Sequence, residues 1–371
     1  MEIAAVEACI VDIPTIRAHK LAFGSISQQS YVIVQIHLAN GVVGIGEAAT
    51  IGGPSWSEET PEGIKHIIEA YLGPALVGRQ AQDIEGLLAL FEKLCKGNWF
   101  AKAAVEMALI DAVARTLEVP AYQLLGGKVH DSLPLAWTLA TGDPARDIEE
   151  AERMLAERRH RIFKIKIGAQ EPRHDVARVA AIAKAVAGRA SVQVDVNQGW
   201  DEVTARKYVP QLGDAGVALV EQPVARWNLD AMARLAAQPG PIIMADEGAC
   251  SPRDVYEHGR RNAAQAIALK VTKAGGLLNT RRAAAVAEAA GLACYGGCML
   301  ETSVGTAASA HVFATIPGIT LGCELFGPRL LVDDITVPTI EYGDFSIRIP
   351  DGPGFGVRLD PDKLARYRRA A

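Results

Sequence analysis

Several features that would set this chain apart from ordinary globular enzymes are absent from its sequence. No stretch approaches the ~18 consecutive apolar residues of a membrane-spanning helix. The 371 residues carry a formal net charge of −5 and no dense basic cluster, which argues against a nucleic-acid-binding surface. The amino terminus has no basic stretch followed by an apolar one, so it shows no secretory signal. We therefore expect no membrane and no nucleic acid among the partners of this chain.

Cysteines are few and lack a framework spacing. The six cysteines are scattered, and the closest two, Cys294 and Cys298, have no second pair at the spacing of a zinc site. We therefore expect ordinary free thiols and a reducing cytoplasm, without structural zinc.

The sequence does contain carboxylates at a nearly constant interval. Three short apolar segments end in Asp195, Glu221 and Asp246, at steps of 26 and 25 residues, and a further 24 residues lead to Lys270. An interval near 25 residues is the length of one strand–helix unit, and a (β/α) barrel has its active site at the C-terminal ends of its strands. Acids gathered there repel one another unless a hard divalent cation neutralises them. The spacing therefore predicts a metal-dependent barrel enzyme.

Two different rhythms divide the chain. Residues 1–130 begin with three strand-like runs, the last two joined by an Asn40-Gly41 hairpin signal, and continue with three helical stretches, which predicts an α+β domain. Residues 131–330 alternate strands with helices, as in an α/β barrel, and the tail 331–371 is expected to fold back onto the amino-terminal domain. The eight barrel strands are predicted at Leu133–Leu139, Ile162–Ile167, Val192–Val196, Val217–Glu221, Ile242–Asp246, Ala266–Lys270, Ala293–Gly297 and Leu321–Leu325.

Polar residues in the barrel region follow the alternation of a strand. Lys164 and Lys166 are two residues apart, as are Asp195 and Asn197, so each pair shares one face of its strand. The intervening positions, such as Ile165, are apolar too, which is typical of strands covered on both faces. A charged residue that faces inward there needs a partner, and a shared metal ion provides one.

These residues carry a resemblance to a known family. The array Lys164-Ile-Lys166, Asp195-Val-Asn197, Glu221-Gln-Pro, Asp246-Glu and Lys270 resembles the muconate-lactonizing branch of the enolase superfamily. Nearly the whole chain is similar to muconate cycloisomerases in particular, most clearly at Val11–Arg17, Ala136–Ala140, Tyr295–Ser303 and Cys323–Pro328. The resemblance implies a capping domain over a modified TIM-type (β/α) barrel. It also implies a homo-oligomer that converts cis,cis-muconate, a small dicarboxylate of catechol catabolism, to muconolactone.

The resemblance also implies roles for the charged residues. Asp195, Glu221 and Asp246 would hold one divalent ion, and their oxygen ligands favour Mg²⁺ or Mn²⁺ without separating the two. Lys166 would be the catalytic acid and base, and Lys164 its electrostatic partner. A free lysine with a pKa of ~10.4 is a poor base, so we expect the charges of Lys164 and the metal to lower the pKa of Lys166.

Four further polar residues also have expected roles. Lys270 would stabilise the enolate by its charge or act as a second base, and Glu324 would hydrogen-bond the substrate if protonated. Asn197 would orient a ligand of the metal or the substrate. Glu247 follows Asp246, so strand alternation predicts that it faces away from the barrel mouth and is structural.

The substrate pocket is expected to be shaped by loops of the capping domain, at 22–26 and at Ile51–Trp56, because mobile loops over a rigid barrel exclude water. Ile51, Trp56 and Phe326 are the predicted substrate contacts. Trp56 resembles the chloromuconate-processing members of the family, whereas Phe326 resembles the unchlorinated branch. Muconate and chloromuconate therefore both stay open as substrates.

Other reactions on the same scaffold are also compatible with these residues. Racemisation of an acylated amino acid or dipeptide, and dehydration to o-succinylbenzoate, use the same lysines and acids. The mandelate-type branch is disfavoured because no histidine falls at a predicted strand end and Lys270 occupies the sixth strand. A silent scaffold is disfavoured because the set of charged strand-end residues is intact.

Overall fold

The first part of the chain forms a three-stranded antiparallel sheet in the order β1–β2–β3. The computed structural model describes residues 1–21 and 24–370, and its first strands are β1 (Ile3–Leu21), β2 (Gly24–Leu38) and β3 (Val43–Thr50). The hairpin predicted at Asn40-Gly41 joins β2 to β3, and Gly41 takes a φ of 85°, which glycine adopts at no steric cost.

The loop predicted at 22–26 is largely a strand. Gly24, Ser25 and Ile26 belong to β2 and pair with the end of β1, so the two strands extend further than their apolar alternation indicates. Ala22 and Phe23 lie outside the described residues.

A buried helix covers this sheet. The helices of this part are α1 (Pro61–Ile67), α2 (Gly73–Leu76), α3 (Ile84–Leu94), α4 (Trp99–Thr116) and α5 (Ala121–Leu124), with a π-helical turn at Ile68–Leu72 and a 3₁₀ turn at Gly53–Ser55. At Gly44 and Gly46 of β3 an added Cβ would lie 2.1 and 2.0 Å from carbonyl oxygens of α4, so the helix packs directly on the strand backbone. Among the described residues, no helix is both long and apolar enough to cross a bilayer.

Eight parallel strands then form the barrel, following β4 (Ser132–Pro134). They are β5 (Ala136–Leu139), β6 (Ile162–Lys166), β7 (Ser191–Asp195), β8 (Val217–Glu221), β9 (Ile242–Ala245), β10 (Ala266–Leu269), β11 (Ala293–Gly296) and β12 (Ile319–Cys323). Their order in the sheet follows the chain, and a parallel bridge between Leu135 and Cys323 connects the two ends. The predicted barrel of eight strands with an α+β capping domain is confirmed, although the last strand begins and ends two residues earlier than predicted.

Helices surround the barrel. They are α6 (Pro144–Ala156), α7 (Pro172–Ala185), α8 (Glu202–Asp214), α9 (Leu229–Ala236), α10 (Pro252–Arg261), α11 (Val271–Ala274), α12 (Leu277–Ala289), α13 (Ser303–Phe313) and α14 (Gly327–Leu330). Inside the barrel, a separate small cluster includes Leu219 of β8 and Met244 of β9. Glu221 and Asp246 lie two residues further along, so the inward-facing alternation predicted for these acids is confirmed.

The tail contacts both parts of the chain. Its elements are β13 (Thr336–Val337), β14 (Tyr342–Gly343), β15 (Ser346–Arg348), β16 (Arg358–Leu359) and α15 (Pro361–Tyr367). β15 pairs with β4 at the start of the barrel, whereas Arg369 Nε lies 2.6 Å from Asp12 Oδ2 on β1. The assignment of the whole tail to the capping domain stays a prediction.

Buried carboxylates of the capping domain bind the starts of barrel helices. Glu47 accepts hydrogen bonds from the amides of Thr302 (2.9 Å) and Gly305 (3.1 Å) at the start of α13. Glu106 likewise accepts from the amides of Leu277 and Leu278 at the start of α12. Burial raises the pKa of Glu47 to about 8 and that of Glu106 to about 7. These hydrogen bonds join the capping domain to the barrel at the starts of α12 and α13.

Candidate active site

The C-terminal ends of four neighbouring strands bring the predicted acids and lysines together. Lys166, Asp195 and Glu221 are register partners across β6, β7 and β8, and Asp246 immediately follows β9. Asp195, Glu221 and Asp246 are only 2%, 1% and 0% exposed. Three acids are therefore buried side by side at the mouth of the barrel.

Each of these acids is paired with a lysine. Lys166 Nζ lies 2.5 Å from Asp195 Oδ2, and Lys164 Nζ lies 2.5 Å from Glu221 Oε2. Lys164 Nζ also lies 3.0 Å from Glu324 Oε2, on the segment after β12. Charged groups buried to this degree require such partners, so the network accounts for the burial.

Two lysines share the third acid. Lys270 Nζ lies 2.6 Å from Asp246 Oδ2, and Lys273 Nζ lies 2.7 Å from Asp246 Oδ1 and 2.6 Å from its carbonyl oxygen. Burial opposes the charged form of Asp246, but the two ammonium groups outweigh it and lower its pKa. Lys273 was not among the predicted site residues, because it lies on the short helix α11 after β10 and not at a strand end.

The pKa values in this network follow from burial and charge. Burial raises the pKa of Glu221 to about 8, and the Asp195 carboxylate adds to the effect. The prediction that the pKa of Lys166 is lowered is wrong for the protein alone: burial and Lys164 do lower it, but the carboxylates of Asp195, Glu324 and Glu221 outweigh them and raise it. Sequence spacing identified the lysine neighbour but could not weigh it against three acids.

Asn197 and Glu247 lie together beside the acids. Asn197 Nδ2 donates to Glu247 Oε1 at 3.2 Å, and the backbone amide of Asn197 donates to Asp195 Oδ1 at 2.8 Å. The prediction that Glu247 faces away from the mouth is wrong, because β9 ends at Ala245 and the turn after it no longer follows strand alternation. Burial raises the pKa of Glu247 to about 7, with the Asp246 carboxylate as the next cause.

A small pocket at the mouth collects the predicted substrate contacts. Ile51 and Trp56 of the capping domain line it together with Phe326 of the barrel, and the catalytic candidates Lys166, Asn197, Lys270 and Glu324 complete most of its wall. Three further lining residues, which the sequence did not single out, are Thr138, Cys298 and Leu300. They carry no charge and no strand-end spacing, although two of them lie in the Tyr295–Ser303 stretch that carried part of the resemblance.

Trp56 contacts a catalytic candidate directly. Lys270 Nζ lies 4.6 Å from the centroid of the Trp56 ring, within the range of a cation–π interaction. On the barrel side, Phe326 packs against Trp137 with ring centroids 5.0 Å apart. The capping loop therefore covers the pocket and contacts one of its lysines.

Comparison with known proteins is consistent with this geometry. Residues 5–126 match the mandelate racemase/muconate lactonizing enzyme N-terminal domain, and residues 146–363 match the enolase C-terminal domain-like family. The chain belongs to the mandelate racemase/muconate lactonizing enzyme family. The resemblance inferred from sequence motifs is thereby confirmed.

Relatives of this family match along the full chain. The chain is 48% identical to a chloromuconate cycloisomerase of Pseudomonas putida over 370 residues, covering 100% of both proteins. It is 49% identical to muconate cycloisomerase 1 of Pseudomonas putida over 366 residues, covering 98% of each. The structure of muconate lactonizing enzyme from Pseudomonas fluorescens complexed with muconolactone superposes with a TM-score of 0.98 at 47% identity, covering 99% of both chains.

Enzymes of this family depend on a divalent metal ion. Among residues 1–21 and 24–370, no three His, Cys, Asp or Glu side chains converge as ligands, because the acids are turned towards lysine ammonium groups. The donor set nevertheless suits a hard cation, since Asp195, Glu221 and Asp246 offer only oxygen atoms from adjacent strand ends. Beside them, Asn197 Oδ1 and Glu247 Oε2 are buried without a hydrogen-bond partner.

Proposed function

We propose that this chain is a metal-dependent cycloisomerase that converts cis,cis-muconate, and chloromuconates, to the corresponding lactones. The observation that carries the proposal is the pocket in which Lys166 and Lys270 stand beside Ile51, Trp56 and Phe326 under the capping loop. Full-length identity near 48% to muconate and chloromuconate cycloisomerases supports the reaction type. The enzyme is accordingly an isomerase that closes a ring within one substrate molecule.

The reaction needs one carbon–oxygen bond and one proton. An oxygen of one carboxylate bonds to the β-carbon of the double bond that is conjugated with the other carboxylate. The π electrons of that double bond move towards the other carboxylate and form an enolate. A proton from the Lys166 ammonium then binds the α-carbon, which gives the monoanionic lactone, and solvent restores the proton to Lys166. A lysine with its ordinary pKa of ~10.4 is protonated at neutral pH, which is the form that this direction requires.

The other charged residues act on the enolate and on Lys166. Lys270 holds a positive charge at the pocket, where preorganised charge stabilises the developing enolate. Lys164 is buried against Glu221 and Glu324, and its charge offsets these acids next to Lys166. Trp56 covers the pocket from the capping domain and excludes water from the enolate.

Asp195, Glu221 and Asp246 would hold the divalent ion, with Asn197 and Glu247 adjacent to it. When bound, the ion supplies positive charge that stabilises the enolate carboxylate and offsets the acids around Lys166. We propose Mg²⁺ or Mn²⁺, because a site of oxygen donors alone suits these ions.

The remaining proposals concern partners and compartment. The substrate is a small dicarboxylate, which the lysines of the pocket suit by charge. We also propose a symmetric homo-oligomer, which the family resemblance implies. The cytoplasm is supported by six free cysteines.

The test follows the loss of diene absorbance of cis,cis-muconate and a monochlorinated muconate with Mn²⁺ or Mg²⁺ added. We expect turnover that a chelator abolishes and either metal restores. Acylated amino acids and dipeptides are assayed in parallel for racemisation, because that reaction uses the same lysines. A kcat/KM for an acylated amino acid well above that for cis,cis-muconate would overturn the proposed substrate.

A further inference from the structure

One residue of the substrate pocket has an unusual backbone conformation. Leu300 lines the pocket, is 4% exposed, and has a φ of 60°, in the left-handed region that favours glycine. A residue with a bulky side chain is rarely found there, because its Cβ crowds the backbone. Such a conformation persists only where the surrounding structure holds it in place.

Two side chains of the capping domain bind the backbone at this position. Tyr31 Oη donates to the carbonyl of Leu300 at 2.7 Å, and Gln29 Nε2 donates to the carbonyl of Met299 at 3.0 Å. Both donors lie on β2 and are almost fully buried. Two successive carbonyls of a barrel loop are thus oriented from the other domain.

The barrel holds the same segment from within. Glu301 Oε2 accepts from the amide of Met299 at 2.9 Å. At Gly327, an added Cβ would lie 2.1 Å from the carbonyl oxygen of Glu301 and 2.8 Å from the carbonyl carbon of Leu300. This close approach leaves the loop no room to relax towards α14, so the left-handed conformation is fixed from two sides.

We propose that Leu300 is a specificity-determining residue and that Tyr31 and Gln29 are positioning residues that act through it. The proposal rests on the proposed function, because the wall it describes is that of the muconate pocket. Leu300 lines this pocket together with Trp56 and Phe326. In this proposal its side chain limits the room left for a substituent on the diene. A chlorine atom is close to a methyl group in size, and pockets discriminate groups of this size by ~10–200-fold.

The first experiment uses the variant Leu300→Gly. Glycine accepts a φ of 60° without steric cost, and the substitution removes the leucine side chain from the pocket. We expect the ratio of kcat/KM for monochlorinated over unsubstituted cis,cis-muconate to rise by about tenfold or more. Leu300→Met retains most of the volume and should restore a ratio near that of the wild type. Leu212→Ala, in the buried face of α8, is the matched control for a general loss of packing and should leave the ratio unchanged.

The second experiment tests the positioning residues by a double-mutant cycle. Tyr31→Phe should shift the same ratio in the wild-type background and have no effect on it in Leu300→Gly, because the side chain that Tyr31 orients is gone. Tyr122→Phe, which removes a hydroxyl bonded to Asp351 at 2.9 Å, is the control. Equal ratios in wild type and Leu300→Gly, or a Tyr31→Phe effect that persists in Leu300→Gly, would overturn the inference. Absence of wild-type turnover on both diacids would instead overturn the proposed function.

Discussion

Gly297 leaves the space in which Lys270 lies, and adding one carbon there should displace that lysine. An added Cβ would lie 2.8 Å from both Cγ and Cε of Lys270. The φ of Gly297 is not in the left-handed region, so alanine suits its backbone and the clash with Lys270 is the main consequence. Gly297→Ala therefore perturbs Lys270 without changing any charge in the site.

The size of the effect follows from the distances. Carbon atoms pack at about 3.5–4.0 Å, so the side chain of Lys270 must shift by roughly 1 Å. The Trp56 ring, whose centroid is 4.6 Å from Nζ, limits how far Lys270 can move without losing that contact. A misplacement of ~1 Å can cost ~10²-fold in rate, which corresponds to about 2.7 kcal/mol in the barrier. We expect Gly297→Ala to lower kcat by about that factor.

The assay is the loss of diene absorbance of cis,cis-muconate at saturating metal, measured for wild type, Gly297→Ala, Lys270→Ala and the double variant. If Gly297 acts through Lys270, the double variant should be no slower than Lys270→Ala alone. Gly318→Ala is the matched control, because its added Cβ would meet only Cys294 Sγ, at 3.9 Å. A wild-type kcat in Gly297→Ala would refute the reasoning. So would a Gly297→Ala substitution that lowers kcat by the same factor in the wild-type and Lys270→Ala backgrounds.

Four further predictions test other parts of the site. Lys166→Ala should abolish turnover and the exchange of the lactone α-proton with solvent deuterium, measured by NMR. Lys270→Ala should only slow turnover, by roughly 10²–10³-fold. Loss of the proton exchange in Lys270→Ala but not in Lys166→Ala would show that the two roles are reversed. Glu221→Gln should lower metal affinity, measured by calorimetry, together with activity while the fold survives, and unchanged affinity would contradict it. Trp56→Tyr should change the preference between muconate and chloromuconate by ~1–2 kcal/mol in kcat/KM, and an unchanged preference would remove Trp56 from the substrate wall. Burial raises the pKa of Glu47 from 4.5 to about 8, so the folded state retains a proton that the unfolded chain releases. The free energy of unfolding should therefore fall as the pH rises from 4.5 to about 8. In urea titrations Glu47→Gln should weaken this fall, by on the order of 5 kcal/mol for a shift from 4.5 to about 8, and an unchanged slope would contradict it.

The sequence was most informative where chemistry follows a regular period. Asp195, Glu221, Asp246 and Lys270 lie at consecutive strand ends, so an interval of about 25 residues indicates both the barrel and the convergence of its charges. Alternation along β6 likewise predicted that Lys164 and Lys166 share a face, and both contact acids at the mouth. These inferences need only the length of one strand–helix unit and the alternation of side chains along a strand.

Residues beyond the strand ends could not be predicted in this way. Glu247 lies in the turn after β9 and Lys273 on the short helix α11 after β10, so neither side chain follows the alternation of a strand. Alternation therefore gave the wrong face for Glu247, which hydrogen-bonds Asn197, and gave no reason to join Lys273 to Asp246. Both lie within three positions of a strand end predicted from the sequence, at Asp246 and at Lys270, so charge near those ends was the signal that could have identified them.

A third group of residues acts through shape and long-range contact. Gly297 matters because it lacks a side chain beside Lys270, and Leu300 because Tyr31, 269 positions earlier in the chain, holds its carbonyl. Neither property leaves a periodic or compositional signal, since each depends on how the capping domain is seated over the barrel. The charges of the barrel mouth suit any reaction that passes through an enolate, whereas the wall that includes Leu300 spans both domains. Substitutions on β2 of the capping domain can therefore change which diacid is accepted while the acids and lysines stay in place.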